Sequence, residues 1–213
     1  MKITLENIVP NPMKDEAFSS ESIWEKECIL ESNQSYLISS DSGKGKSTLL
    51  SYIYGLRADY SGSISIDQEN QKNISIDGWS KLRTHKLSYL IQDLRLFNHL
   101  SVWDNLTLKN DLTNHKTTSE IENMLDQFGL LSKKNQLAGK LSLGQQQRVA
   151  LIRCLLQPFE FLLLDEPFSN IDDTNIKIAK KLINQECKAN NGGFILATLG
   201  HDYEFENVTT IYL

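Results

Sequence analysis

The sequence predicts a mixed α/β fold with a mostly parallel sheet. Short apolar runs at residues 161–164, 194–198 and 209–213 lack polar alternation, as expected for strands that are covered on both faces. Segments with helical periodicity lie between such strands, which is the arrangement of a parallel sheet joined by crossover helices. A further strand, at 36–40, runs directly into a glycine-bearing loop that a helix follows. These observations together favour one α/β core.

Length and composition favour a single domain, at residues 1–213. Of the 213 residues, 40% are hydrophobic and 23% are charged, which is the balance of an ordinary globular protein with a buried core. The net charge of −5 disfavours nucleic acid as a partner, although a local basic patch is compatible with it. No run approaches the roughly 18 to 20 apolar residues of a membrane-spanning helix, and the N-terminus lacks the apolar core of a signal peptide. We therefore expect a cytoplasmic protein.

The cysteine pattern predicts free thiols. Cys28, Cys154 and Cys187 are odd in number and widely spaced, without a CxxC pair or a nearby histidine in metal-ligand spacing. We expect all three to be buried or half-buried and unpaired.

The N-terminal part carries mainly β patterns. Its predicted strands lie at residues 2–8, 23–30, 36–40, 62–67, 74–77 and 87–91. The polar run 68–73 separates two alternating segments, 62–67 and 74–77, and this predicts an antiparallel hairpin. The helix that follows the glycine-bearing loop is predicted at 46–56, ending near Gly55. We expect an antiparallel β subdomain beside the parallel sheet.

The pattern turns helical and more polar from about residue 97 to 141. An amphipathic helix is predicted at 119–128, where Gly129 stops it. A longer helix is predicted at 142–156, with Ser142 as its N-cap. This region has the pattern of an inserted helical subdomain. The expected division is residues 1–92 and 158–213 for the core with the antiparallel β subdomain, and about 93–157 for the helical subdomain.

Residues 40–48, SDSGKGKST, predict a phosphate-binding loop. Such a loop needs glycine where backbone amides face an anion, a lysine for the outer phosphates and a hydroxyl for Mg²⁺. Gly45, Lys46 and Ser47 fill these places, whereas Ser40 stands where the GxxxxGK[ST] pattern has its first glycine. A surface loop with a chance KST is the alternative. The predicted nucleotide-binding residues are Ser40, Asp41, Ser42, Gly43, Lys44, Gly45, Lys46, Ser47 and Thr48.

Residues 161–167, FLLLDEP, predict a buried strand that carries two carboxylates at its C-terminal end. Ligands of open α/β sheets bind at this edge. We expect Asp165 to hold Mg²⁺, together with Ser47, and Glu166 to polarise the attacking water. The alternative is that these acids only cap the end of the strand.

The order of five elements along the chain resembles the ATP-binding cassette (ABC) ATPases. These are the phosphate loop, Gln92 after a strand, LSLGQ at 141–145, FLLLDEP, and His201 after the apolar run at 194–198. The resemblance implies a P-loop NTPase core of RecA-like type, ATP and Mg²⁺ as ligands, a second ATPase subunit and a membrane-spanning permease. The chain is loosely similar to the lipoprotein-release, MacB-type and cell-division members. The resemblance covers nearly the whole chain.

The LSLGQ segment resembles the family signature LSGGQ, which acts on the ATP held by a second copy of the domain. The resemblance assigns that role to Ser142, Leu143, Gly144 and Gln145, with Leu143 in place of a glycine. A serine and backbone amides at a helix N-terminus suit a γ-phosphate. The alternative is that Ser142 is only a helix cap.

The remaining assignments also depend on the resemblance. Gln92 is similar to the glutamine that contacts Mg²⁺ or the attacking water, and Ser169 and Asp172 lie in a segment similar to the dimer-interface loop. His201 corresponds to a histidine that contacts the γ-phosphate, although it follows its strand at a greater distance than is usual. Members usually stack an aromatic ring on adenine, but residues 9–17 contain none and Phe18 is out of register.

The resemblance implies an ATP-binding and ATP-hydrolysing subunit that dimerises around two ATP and powers a membrane partner, on the inner face of the membrane. One alternative is an ATP-gated regulatory switch on a membrane-anchored partner, without transport. Another is a hydrolysis-impaired subunit, which the departures at Ser40, Leu143 and His201 suggest. Lys46, Asp165 and Glu166 argue against that impairment.

Overall fold

Two sheets organise the computed structural model, which describes residues 1–41, 43–199 and 203–213. The strands are β1 (Lys2–Pro10), β2 (Glu27–Glu31), β3 (Ser35–Ser39), β4 (Tyr60–Ile66), β5 (Glu69–Asn70), β6 (Leu87–Leu90), β7 (Phe161–Asp165), β8 (Gly193–Ala197) and β9 (Val208–Tyr212). The helices are α1 (Lys46–Ile53), α2 (Ile76–His85), α3 (Val102–Asn110), α4 (Thr118–Gln127), α5 (Leu143–Cys154) and α6 (Asp173–Ala189).

A five-stranded sheet in the order β6-β7-β8-β3-β9 forms the centre of the fold. All of its neighbouring strands pair in parallel, as the apolar runs predict. Every residue of β7 and β8 is buried, because helices cover the inner strands of such a sheet on both faces. Parallel strands bring their C-terminal ends to one edge, so the loop after β3 and the acidic end of β7 lie on the same side.

The second sheet is antiparallel, in the order β2-β1-β4-β5, which confirms the expected antiparallel region. The strand predicted at 74–77 is wrong. Strand β5 spans only two residues, and Ser75 then caps α2 by accepting a hydrogen bond from the Gly78 amide at 3.1 Å. Four alternating residues do not distinguish a strand from a capped helix start, and the cap satisfies an otherwise unpaired amide.

The helices between β6 and β7 pack into one apolar cluster with α6 and the inner strands. The predicted helices at 119–128 and 142–156 correspond to α4 and α5, and Ser142 is the N-cap of α5 as expected. The 17-residue helix α6 was not predicted. The division at residues 92 and 157 stays a prediction.

Two other expectations concern chain chemistry and membranes. Cys28 is half-buried while Cys154 and Cys187 are buried, and all three are free thiols, as predicted. Burial raises the pKa of Cys28 to about 11, so this thiol stays protonated at neutral pH. Among the described residues, the helices are too short or too polar to span a bilayer.

Candidate nucleotide-binding site

The glycine-bearing loop connects β3 to α1 and has the backbone of a phosphate-binding loop. Gly43 and Gly45 have φ values of +82° and +96°, which side-chain-bearing residues rarely adopt. A Cβ at position 45 would also lie 3.1 Å from Cζ2 of the buried Trp24 and 3.4 Å from Sδ of Met13. Ser40 is not among the described residues with positive φ, so a serine fits where the pattern has its first glycine.

Lys46 lies at the centre of this loop. Its Nζ donates hydrogen bonds to the carbonyl oxygens of Ser40, at 2.7 Å, and Asp41, at 2.8 Å. The side chain is buried, so these two carbonyls hold the ammonium group in place. Lys44 instead points to the surface and pairs with Glu16 at 3.4 Å. Ser42, which was also predicted to bind nucleotide, lies outside the described residues.

Ser47 and Asp165 form the junction between the loop and the central sheet. Ser47 Oγ donates to Asp165 Oδ1 at 2.9 Å, and Tyr89 Oη donates to Asp165 Oδ2 at 3.5 Å. Burial raises the pKa of Asp165, while these two hydrogen bonds and the charge of Lys46 lower it, and burial prevails. A bound cation would favour the ionised form of this carboxylate.

This pair fits Mg²⁺ in its donor chemistry. A hydroxyl and a carboxylate oxygen lie together, and Gln92 lines the same cleft. Within the described ranges, no three His, Cys, Asp or Glu side chains form a metal cluster. Mg²⁺ is commonly held by one or two carboxylates together with the phosphates of its substrate, so this sparse protein donor set suits it.

Glu166 follows β7 with an unusual backbone. Its φ is +51°, and its amide donates to the Ala197 carbonyl oxygen at 2.9 Å. Its carbonyl oxygen accepts a hydrogen bond from Gln147 Nε2 at 2.8 Å. The peptide groups around a buried carboxylic residue are thus held from both sides, in a conformation that costs about 1 kcal/mol or more.

One cleft of about 360 Å³ joins these residues. Its lining includes Pro10, Pro12 and Met13 as well as Gln92 and Glu166. The full lining is Pro10, Pro12, Met13, Gly43, Gly45, Lys46, Ser47, Thr48, Arg57, Gln92, Glu166 and Leu199. No aromatic ring lines it within the described part of the chain. His201 lies outside that part.

Phe18 lines a different cavity. That cavity, of about 410 Å³, adjoins Ser40 and Lys44 on the other side of the loop and also contains Tyr212. Phe18 packs near Trp24, with ring centroids 6.4 Å apart. The ring nearest in sequence to the expected stacking position is therefore not part of the cleft lining.

The signature segment forms the start of α5. Ser142 Oγ accepts from the Gln145 amide at 3.4 Å, and Gln145 Oε1 accepts from the Ser142 amide at 3.1 Å, which is a capping box. Leu143 is more than half exposed. A Cβ at Gly144 would lie 2.4 Å from the Asn170 carbonyl oxygen. These four residues do not line the cleft of their own chain, so an action on nucleotide would be on that of another copy.

Ser169 and Asp172 have local hydrogen bonds of their own. Ser169 Oγ donates to the Glu166 carbonyl oxygen at 3.2 Å. Asp172 caps α6 by accepting from the Asn175 amide at 3.0 Å, and this bond holds the pKa of the exposed Asp172 carboxyl below its usual range. Asp172 therefore has a structural role whether or not it lies at an interface.

The structure adds residues that sequence reasoning missed. Gln147 contacts the segment after Glu166, and its position three residues after Gly144 on one helix face was the available signal. Arg57 lies in the cleft lining, where its NH1 donates to Thr48 Oγ1 at 3.2 Å while Asp59 binds the rest of the guanidinium. Nothing in the sequence pointed to Arg57.

Comparison with known proteins identifies a family and similar sequences. The family model described as ABC transporter matches residues 27–169, which is more than half of the chain. The thiamine import ATP-binding protein ThiQ of Histophilus somni is 37% identical over 161 residues, covering 74% of this chain and 72% of ThiQ. The lipoprotein-releasing system ATP-binding protein LolD of Buchnera aphidicola is 33% identical over 180 residues, covering 83% of this chain and 77% of LolD.

Solved structures share the fold. The dimeric structure of the bacterial ABC transporter cassette MJ0796 has a TM-score of 0.81 at 21% identity, covering 99% of this chain and 94% of that one. A dimeric post-hydrolysis state of the same cassette, bound to ADP and Pi, has a TM-score of 0.82 at 22% identity and the same coverage. At these identities the likeness establishes the α/β cassette fold.

Proposed function

Because the chain belongs to the ABC transporter family, as one of its ATP-hydrolysing subunits, we propose that the 360 Å³ cleft binds Mg-ATP and hydrolyses it to ADP and phosphate. The subunit dimerises and works with a membrane permease, and hydrolysis drives that partner. One observation carries the proposal: Ser47, which lines the cleft together with Lys46 and Glu166, is hydrogen-bonded to the buried Asp165 at 2.9 Å.

The phosphates belong at the loop and the start of α1. Backbone amides around Gly43 and Gly45, and the N-terminus of α1, favour negative charge there. Lys46 would exchange its bonds to the Ser40 and Asp41 carbonyls for the β- and γ-phosphates. Ser47, Asp165 and Gln92 would hold Mg²⁺. When bound, Mg²⁺ neutralises charge that develops on the phosphates.

The attacking water belongs beside Glu166. Glu166 lines the same cleft as the phosphate loop, so a nucleotide whose phosphates lie at the loop can bring its γ-phosphate close to Glu166. A carboxylate there can polarise a water for in-line attack. His201 remains a proposed γ-phosphate contact on the family resemblance alone.

We propose that the base lies against Pro10, Pro12 and Met13, which line the same cleft. These side chains offer apolar contact without an aromatic face and without a hydrogen-bonding group to distinguish purine edges. Arg57 also lines the cleft and contributes positive charge near Thr48. Weak discrimination among purine nucleotides follows.

The second subunit would complete the site with its signature segment. Ser142 and the amides at the start of α5 are exposed and do not line their own cleft, which supports an action in trans. The partner's N-terminal α5 dipole would then face the γ-phosphate. Ser169 and Asp172, also exposed, would lie along the same interface.

The membrane partner would bind near the segment after Gln92. Phe97 and Leu108 are both 50% exposed and line a cavity of about 220 Å³ with Tyr89 and Arg153. Neighbouring exposed apolar side chains mark interaction sites. We propose that the permease covers this patch, which places the chain on the cytoplasmic face of the membrane.

The testing experiment is Mg²⁺-dependent ATP hydrolysis by the purified chain across a range of protein concentrations. A dimeric ATPase predicts a rate that rises faster than linearly with protein and is lost in Lys46→Ala and in the presence of a chelator. Glu166→Gln should retain ATP binding and accumulate an ATP-dependent dimer. A Glu166→Gln variant that hydrolyses at the parent rate would contradict the assigned role of Glu166.

A further inference from the structure

Gln147 connects the start of α5 to the segment that carries Glu166. Its Nε2 donates to the Glu166 carbonyl oxygen at 2.8 Å, and its Oε1 accepts from the Asn170 amide at 3.1 Å and from Asn170 Nδ2 at 3.0 Å. The side chain is 1% exposed, so these bonds form away from competing water. The side-chain amide of Gln147 thus forms hydrogen bonds to the 166–170 segment through both its donor and its acceptor.

Glu166 needs such a contact because its backbone is in the left-handed region, at φ +51°. That conformation persists in a non-glycine residue only where surrounding bonds enforce it. The amide of Glu166 is fixed to Ala197 in the sheet, and its carbonyl is fixed by Gln147 on the other side. Ser169 also donates to this carbonyl oxygen, through its amide at 3.4 Å and its Oγ at 3.2 Å, and the bond from Gln147 is the shortest of the three. Together with the bond to Ala197, these bonds constrain the direction in which the Glu166 side chain leaves the backbone.

The same helix face reaches this segment a second time. Gly144, one turn before Gln147, packs so closely that a Cβ would lie 2.4 Å from the Asn170 carbonyl oxygen. The first turn of α5 therefore contacts the 166–170 segment both through a side-chain amide and through direct backbone approach. A displacement of α5 would move the backbone of Glu166 with it.

We propose that Gln147 is a positioning residue for ATP hydrolysis: its side-chain amide holds the left-handed backbone of Glu166 and so aims the carboxylate at the attacking water. The proposal rests on the proposed function, since it assigns Gln147 an effect through Glu166. Gln147 lies outside the cleft lining, so it acts on the rate of the chemical step and not on nucleotide contact.

The test compares Gln147→Met with Gln157→Met. Methionine is similar in length to glutamine and fills buried space, but it lacks the amide group. Gln157 is a matched control, because it is also 1% exposed and its Nε2 donates to backbone carbonyls, those of Arg83, Leu87 and Pro158. None of those three residues lines the cleft.

We expect Gln147→Met to lower kcat by about 10- to 100-fold, the cost of misplacing a catalytic group by roughly 1 Å, with KM and the Kd for a fluorescent ATP analogue within about twofold. Gln157→Met should keep kcat within about twofold, although its Tm falls similarly. Equal kcat values in the two variants would overturn the proposal, as would a loss that appears only in KM.

A double-mutant cycle separates positioning from general destabilisation. In a Glu166→Gln background, adding Gln147→Met should lower the single-turnover rate of hydrolysis by less than about twofold, because the carboxylate that Gln147 aims is already absent. A further loss as large as that in the parent would overturn the proposal. A Glu166→Gln variant with parent activity would instead refute the proposed function.

If Gln147→Met is much less stable than Gln157→Met, Ser169→Ala provides a second test of the hydrogen bonding at the Glu166 carbonyl oxygen. Ser169 Oγ is the second side-chain donor to the Glu166 carbonyl oxygen, at 3.2 Å, and its exposed position tolerates alanine. We expect a smaller drop in kcat, about two- to fivefold by loss of a weaker bond. Because Ser169 is also proposed to lie at the dimer interface, kcat is measured at a protein concentration that saturates the ATP-bound dimer. An unchanged kcat in this variant would overturn the proposal.

Discussion

Ser47 and Asp165 lie 118 positions apart in the chain and are joined by a hydrogen bond of 2.9 Å. The sheet order explains this contact, because β7 is separated from β3 only by β8 and all three strands end at the same edge. Each residue alone is an ordinary hydroxyl or carboxylate. Their contact places a buried acid, with its pKa raised by burial, at the start of the phosphate-binding helix.

Asp165→Asn should stabilise the nucleotide-free protein while abolishing hydrolysis. Burial raises the folded-state pKa of Asp165, so the ionised carboxylate lowers the free energy of unfolding at neutral pH. Because the folded-state pKa lies above the unfolded-state value, the protonated form of Asp165 adds stability. This favourable contribution is complete below the unfolded-state pKa and is lost as pH rises through the folded-state pKa. We expect Asp165→Asn to raise Tm by a few degrees at pH 7, which corresponds to roughly 1 kcal/mol in the free energy of unfolding. This gain in Tm should shrink toward acidic pH. A Tm below the parent value at pH 7 would contradict the electrostatic argument.

Gly45→Ala should destabilise the fold more than Gly129→Ala. Both glycines have positive φ, +96° and +64°, but only Gly45 would also place a Cβ 3.1 Å from Trp24. The Cβ at Gly129 would meet nothing within 4 Å in the described part of the chain. Urea unfolding should give a loss of about 1 kcal/mol for Gly129→Ala and about 2 to 4 kcal/mol for Gly45→Ala. Equal losses in the free energy of unfolding would show that the Trp24 side chain can shift to accommodate the added Cβ without destabilising the fold.

Some of the site could be predicted from local sequence and some could not. The residues 43–48 and 161–166 were predicted because glycine spacing and an acidic strand end depend on short segments. Gln147 and Arg57 were missed because tertiary packing alone determines which groups a glutamine or arginine contacts. The prediction of a hairpin strand at 74–77 was wrong because Ser75 caps α2 there.

We propose that the base contacts Pro10, Pro12 and Met13 in the cleft, so we expect ATP and GTP to bind with Kd values within about threefold. Adenine and guanine differ in the hydrogen-bonding groups at N6 and O6, and the side chains of these three residues offer no matching partner. Pro12→Trp should tighten ATP binding several-fold by adding an aromatic face, worth about 1 kcal/mol. Phe18→Ala is the control, since Phe18 lines the other cavity. A tenfold preference for ATP in the parent would show that other contacts select the base.

The apolar patch at Phe97 and Leu108 gives the last prediction. Leu108→Glu should release the chain from membranes in cells that express its permease, because a charge in a buried apolar interface is costly. Leu112→Glu is a matched control, since Leu112 is 61% exposed against 50% for Leu108 and does not line the 220 Å³ cavity. The measured quantity is the fraction of the chain that sediments with membranes, beside the ATPase rate of each purified variant. We expect Leu108→Glu to lower the sedimenting fraction by about tenfold, by analogy with the truncation of interface anchors. Its ATPase rate should stay within about twofold of the parent rate. Equal sedimentation of the two variants would place the permease contact on another face of the subunit.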